Sequence, residues 1–253
     1  MTRTVLAAVL LLAAPAALAA QADASPVQQD PQAAYNKLAK EFNEAMSEWQ
    51  SELEATIEQA KKDGKRVPRA AYRQPTGEFV ATAQEHAQQL AGKDDAVMFL
   101  TFILKNASSE RNAVKWAIKT LASDHAKSAA IVDALDHLPN AMRISRGDVE
   151  GLLDEVAENH EDVDVRSRAL LVRGRMRLEL GREKQGIADL KKVVATSKDE
   201  DLLEEANEAL YEVERLAVGA VAPEIEGVDV DGVAFKLSDY RGKVVLLDFW
   251  GFW

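Results

Sequence analysis

No cysteine occurs in the 253 residues, so no disulfide framework, thiolate metal ligand or sulfenic acid can form within them, and the fold must be held by packing alone. Positive charge is in deficit. Lys and Arg number 31 against 42 Asp and Glu, a formal net charge of −11, which excludes a broad electrostatic footprint for nucleic acid. No apolar run approaches the ~20 residues that span a bilayer, since Val5 to Leu12 is well short of that and no basic stop-transfer cluster follows it. Histidine is scarce as well. His125 and His137 are too far apart for the i, i+4 pair of a helical metal site, and His86 and His160 stand alone. No metal and no cofactor are expected.

What is present is a globular composition, 47% hydrophobic. Arg3, the short apolar run and the small residues Ala16-Ala17-Leu18-Ala19-Ala20 fit a secretory signal peptide, with cleavage expected after Ala19. A lipoprotein signal would need a cysteine. Residues 1–19 are therefore read as the signal and 20–29 as a polar leader, and the mature protein is expected in a periplasm or outside the cell, without a membrane span.

Asp30-Pro31 has the chemistry of a helix start. From there Tyr35, Leu38, Phe42, Ala45 and Met46, Trp49, Leu53, Ile57 and Ala60 recur at three and four residues, one apolar stripe on a long helix. The spacing is near a heptad, so the partner is either another helix of the chain, the favoured reading, or a second copy. Residues 61–77 interrupt the pattern with Gly64, Pro68, Pro75 and Gly77 and carry Lys61, Lys62, Lys65, Arg66, Arg69 and Arg73, either a solvated connector or a grip for an anionic partner.

Helices are expected on both sides of Gly92-Lys93 between Phe79 and Leu104. Two more follow from Glu110 to Leu138 with Ser123-Asp124 as a cap between them, and Pro139 closes the block. Further helices are expected from Asp148 to Asn159, Val163 to Leu180, Glu183 to Thr196 and Asp199 to Ala217. Gly174, Gly181, Gly186 and Ala188 are small where two antiparallel helices must approach closely, a pattern that resembles one divergent tetratricopeptide-type unit without its terminal proline. The block 30–217 thus reads as a helical hairpin array of the kind that binds partners. Its acidic clusters, Asp199-Glu200-Asp201 and Glu204-Glu205, read as helix N-terminal charge and a solvated face.

At Val218-Gly219 the periodicity changes. Gly219 to Leu237 predicts two short strands around Asp231-Gly232, and Val244-Val245-Leu246-Leu247-Asp248-Phe249-Trp250, apolar on both faces, predicts a central, doubly covered strand. The ordered set Gly-x-x-Ala-Pro, Asp-Gly and Leu-Ser-Asp-Tyr-Arg-Gly-Lys-Val-Val-Leu-Leu-Asp-Phe-Trp-Gly-x-Trp resembles the entrance of exported thioredoxin-like thiol-disulfide oxidoreductases, the TlpA-like and ResA-like group of the alkyl hydroperoxide reductase and thiol-specific antioxidant superfamily. The fold class is accordingly mainly α, followed by the N-terminal β portion of an α/β thioredoxin-like fold over residues 218–253.

In that family the tryptophan matching Trp253 is followed by Cys-x-x-Cys, whose first cysteine attacks disulfides and whose second resolves the mixed disulfide. The resemblance assigns Asp248 as the buried carboxylate that exchanges a proton with the second cysteine, and places Phe249, Trp250 and Trp253 in packing at the active-site turn. Gly251 stands where relatives often carry alanine. A peroxiredoxin shares the Ala-Pro opening, but Phe249 to Trp253 has neither the proline nor the threonine of its peroxidatic frame, and disulfide exchange is favoured. The implied partners are client disulfides or an upstream thiol reductant, with a protein partner on the helical block. A thioredoxin-type domain of roughly 100–150 residues would be cut at its catalytic position. A UGA codon for selenocysteine read as a stop is the favoured expectation, with a sequencing error or a nonsense mutation as competitors, and a helical scaffold with a vestigial redox tail is the alternative function.

Overall fold

A computed structural model describes residues 30–107, 109–248 and 250–251. The expected signal peptide and leader, Phe249 and Trp253 lie outside the described residues. Helix α1, Pro31–Lys62, starts where Asp30 accepts the Gln32 N–H at 3.2 Å with proline in the first turn, and it ends on Lys61 and Lys62, cations that suit the negative end of the helix. Its stripe finds a partner within the chain. Tyr35 meets Phe99 edge to face at 5.7 Å, and Phe42 meets Phe79 at 5.5 Å and Phe102 at 5.2 Å, so the first half of α1 lies on α2 (Gly77–Gln89) and α3 (Ala96–Asn106). Farther along, the Trp49 indole donates to the Ala71 carbonyl at 3.0 Å and pins the basic connector.

Helix α3 is the centre of the front half. Seven of its eleven residues are buried, including Phe99, Leu100 and Ile103, and each such side chain contributes about 1.5–3 kcal/mol on leaving water. It packs on α2, on α4 (Arg111–Thr120) and on the short α5 (Val132–Leu135). Between α4 and α5 the sequence reading needs correction. Ser123 and Asp124 lie inside a π-turn, Leu121–His125, and cap nothing, whereas Ser128 accepts the Ala130 N–H at 3.1 Å and opens the next 3-10 turn. Pro139 likewise does not stop a helix but sits in the first turn of the 3-10 segment Leu138–Ala141, where its missing N–H costs nothing. That segment runs into α6, Met142–Asn159, which begins earlier than the sequence suggested because its backbone leaves the helical region at Ser145 (φ −151°, ψ 66°) and the regular apolar spacing resumes only beyond that break.

Helices α7 (Val163–Glu179), α8 (Glu183–Thr196) and α9 (Glu200–Tyr211) follow as expected, with Asp162 and Asp199 capping α7 and α9 through their carboxylates. The α7–α8 pair is the tightest contact. A Cβ at Gly174 would lie 3.1 Å from the Leu190 side chain, and one at Gly186 only 2.8 Å from the Gly174 carbonyl oxygen, so two glycines let these backbones touch. Gly181, at φ +72°, makes the turn between them. No described helix is long and apolar enough to cross a membrane.

After the π-turn Glu212–Leu216 the chain becomes a small antiparallel hairpin, β1 (Glu226–Val228) and β2 (Ala234–Lys236), with Gly227 opposite Phe235. The architecture is therefore mainly helical with a small β portion. Val244 to Asp248 differ from expectation: they form no strand and are all exposed. A central strand needs a hydrogen-bonded neighbour on each side, and the described residues supply only the hairpin, whose strands are paired with each other.

Candidate functional site

The C-terminal segment is built by its own polar side chains. Asp229 Oδ1 accepts the N–H groups of Asp231 and Val233, both at 2.9 Å, and Gly232 takes φ +83°, which fixes the Asp-Gly turn. Glu224 Oε1 accepts the Ser238 N–H at 2.9 Å, and the bonds to Ser238 hold this exposed carboxyl below its ordinary range. Asp239 accepts the Lys236 N–H at 2.9 Å and so fixes the start of the 3-10 turn Leu237–Tyr240. Lys243 lies 5.7 Å from the centre of the Tyr240 ring. The polar residues of the Ala-Pro-Glu, Asp-Gly and Leu-Ser-Asp motifs are thus structural: each fixes one bend of the hairpin.

Exposure alternates along the apolar run. Val244 and Leu246 are 102% and 92% exposed, Val245 and Leu247 42% and 49%. Val245 and Leu247 face a shallow apolar cleft with Ile225, Phe235, Leu237 and Tyr240, while the other side of the run is bare. Asp248 and Trp250 are exposed at its end. Asp248, expected in a buried strand, is exposed here. Of the four residues assigned by resemblance, the structure describes Asp248 and Trp250.

Similarity to known proteins is short and specific. The chain resembles thiol-disulfide oxidoreductases. Two proteins named thiol-disulfide oxidoreductase ResA, from Geobacillus kaustophilus (strain HTA426) and Geobacillus thermodenitrificans (strain NG80-2), are 53% and 50% identical to it over 38 residues. The match takes in 15% of this chain and 22% of each relative, so the chain spans about a fifth of the length of these ResA proteins. No family model and no solved structure matches it.

The helical block holds a site that sequence reasoning missed. Arg173 and Asp189, each only 2% exposed, face each other across the α7–α8 contact through two parallel bonds, Nε to Oδ2 at 3.0 Å and Nη2 to Oδ1 at 2.9 Å. Arg173 also reaches Asp154 at 2.8 Å and Glu158 at 3.3 Å on α6, and Arg177 ties Asp189 to Asp154 again, at 2.5 and 3.2 Å. Burial opposes the charge on Arg173, but the bonds to Asp189 and then Asp154 outweigh it and hold the guanidinium above its ordinary value. A second network joins Glu205 of α9 to Arg168 at 2.8 Å and Arg175 at 2.6 Å, with Arg168 also on Asp136 at 2.9 Å. The signal was legible: Arg173 directly follows the apolar run Ala169-Leu170-Leu171-Val172 and precedes the small Gly174, and a charge in such a stretch calls for a partner. These networks are complete within the fold and join four helices, α6 to α9, so their role is to fix helix register. Beside them, an open cleft between α7 and α9 is lined by Arg175, Leu178, Glu179, Glu208, Glu212 and Leu216.

Proposed function

We propose that the chain is an exported thioredoxin-like thiol-disulfide oxidoreductase, in which the helical block 30–217 docks a client or sets the assembly state and residues 218–253 are the entrance of the redox domain. The carrying observation is the match of 53% identity to a thiol-disulfide oxidoreductase. It is supported by the ordered motifs from Gly219 onward and by the hairpin those motifs build. In the family's frame the attacking thiol or selenol follows Trp253. It would attack a client disulfide, forming a mixed disulfide and releasing one client sulfur as a thiolate, and the second cysteine would then release the client reduced. Asp248 is the proposed proton-transfer group for that second cysteine, with Phe249, Trp250 and Trp253 beside the turn. A signal peptide at 1–19 would send the protein to a periplasm or outside the cell, where client disulfides occur.

The test is to read the codons after Trp253 and assay the product of the continued frame for reduction of insulin disulfides. A Cys or selenocysteine codon at the next position, a Cys codon three further on, and activity that Asp248→Asn slows would support the reading. A frame without either motif position, or an extended product inactive against disulfides, overturns it. A second reading, a helical binding module with a vestigial redox tail, is favoured by one observation: the buried apolar core runs from Leu38 to Leu210, all within the helical block.

A further inference from the structure

In a chain of net charge −11, the connector 61–77 sets six cations against one acid, Asp63. All six are exposed. Lys62 pairs with Glu58 at 2.7 Å and Lys65 with Asp63 at 3.2 Å, both in solvent where such pairs contribute little. Among the described residues the side chains of Lys61, Arg66, Arg69 and Arg73 have no ion pair or hydrogen bond. Arginines of the α7–α8 region behave differently: Arg168, Arg173, Arg175 and Arg177 are all bound to carboxylates. The connector is nevertheless well defined. Gly64, at φ +64°, turns the chain, Lys65 N–H bonds the Ala60 carbonyl at 2.9 Å, a 3-10 turn spans Arg69–Tyr72, and Trp49 holds Ala71. Two apolar groups are exposed with the cations, Tyr72 at 55% and Ile57, on the adjoining end of α1, at 41%.

We propose that this connector docks the protein on an anionic phospholipid bilayer, with the cations at the headgroup phosphates and Tyr72 and Ile57 at the interface. The cations are dispersed over a helix end, a loop and a 3-10 turn, which suits negative charge spread over a surface. A single bound anion needs donors that converge. A protein partner needs a larger apolar centre than Tyr72 and Ile57 supply. A tyrosine, apolar with a polar tip, suits the water–lipid boundary. The acidic remainder of the chain is repelled by the same surface, so electrostatics brings the connector in first, over the ~10 Å screening length at about 0.1 M salt.

Sedimentation of the full chain with vesicles tests this. Phosphatidylcholine vesicles containing about one third phosphatidylglycerol are compared with pure phosphatidylcholine, each cation near an anionic surface being worth about fivefold in binding. The natural chain is expected to prefer the anionic vesicles and to lose that preference at high salt. Lys61→Gln/Arg66→Gln/Arg69→Gln/Arg73→Gln is expected to lose at least about tenfold of it. A control of equal charge change on exposed sites elsewhere, Lys115→Gln/Lys119→Gln/Lys184→Gln/Lys192→Gln, is expected to lose only a small part of the preference, since these sites lie outside the connector. The apolar residues 5–12 and 244–247 are common to all three proteins and cancel in the comparison. Equal binding to both vesicle types, or equal loss in both variants, overturns the proposal. So does retention by soluble polyglutamate without vesicle binding, which would assign the connector to an acidic protein.

Discussion

Asp189→Ala is the sharpest probe of what holds the helical block together. Asp189 accepts three bonds, two from Arg173 and one from Arg177, at a site where both it and Arg173 are 2% exposed. Removing it leaves Nε and Nη2 of Arg173 unpaired inside the α7–α8 contact. Breaking a buried pair from one side costs about 3–5 kcal/mol. Arg173 keeps Asp154 and Glu158, whose carboxylates are 48% and 64% exposed, so the lower end, about 3 kcal/mol, is expected here. For a protein of this size that lowers the Tm by roughly 6–12 °C. Urea unfolding followed by far-ultraviolet circular dichroism should show the midpoint falling at constant slope. Arg173→Met/Asp189→Leu, which removes both charges, should recover most of the loss, because an apolar pair of similar volume is often neutral relative to the ion pair. A loss below about 1 kcal/mol for Asp189→Ala would place the site among ordinary surface pairs and refute the account of the network as a buried fastening.

Three more outcomes are expected. Gly186→Ala should destabilise by about 1–3 kcal/mol, because its Cβ would meet the Gly174 carbonyl oxygen at 2.8 Å and the Leu178 side chain at 2.7 Å, whereas Gly151→Ala, in α6 with nothing within 4 Å, should stabilise by about 0.5–1 kcal/mol; paired thermal melts check both signs. Burial opposes the charge on Glu205, but its bonds to Arg168 and then Arg175 outweigh this and hold its carboxyl below the ordinary range. Because the folded value is the lower one, the stabilisation is present at neutral pH and is lost as pH falls below about 4.5. Unfolding between pH 7 and 3 should therefore be less pH-dependent in Glu205→Gln, and an unchanged slope would contradict the assignment. Finally, buried His160 accepts the Asp162 N–H at Nδ1 (3.0 Å) while Nε2 faces the Ser128 carbonyl at 3.2 Å, which requires the neutral Nε2–H tautomer; nitrogen chemical shifts at neutral pH should show it, and the Nδ1–H form would refute the pairing.

The long helices were legible because their burial repeats with helical period and their ends carry ordinary capping chemistry: Asp30, Asp162 and Asp199 are all caps. Gly174 and Gly186 announced the close helix pair for the same local reason. The stretch from Leu121 to Ala141 was not legible. There a π-turn, two 3-10 turns and a four-residue helix replace one regular helix, and short irregular turns are set by tertiary contacts such as the Ser128 hydroxyl on Asp94 at 2.5 Å, which no periodic pattern encodes. At the C-terminus the hairpin was legible from Asp231-Gly232, but the apolar pattern of Val244 to Trp250 specifies only that both faces want cover. Pairing depends on partner strands far away in sequence, and a pattern cannot say whether they are at hand.

Two different degrees of burial therefore coexist in one chain. Buried Arg173 of α7 is closed on carboxylates of α6 and α8, and Gly174 and Gly186 bring α7 and α8 into contact, so this part of the block is held in a defined shape. The run from Val244 to Leu247 has only its odd-numbered residues against the hairpin, and Val244 and Leu246 are bare. A bare apolar face beside unpaired backbone is the feature that sheets elsewhere cover or charge. Under the proposed function, the strands and helices of a thioredoxin-like domain would cover it.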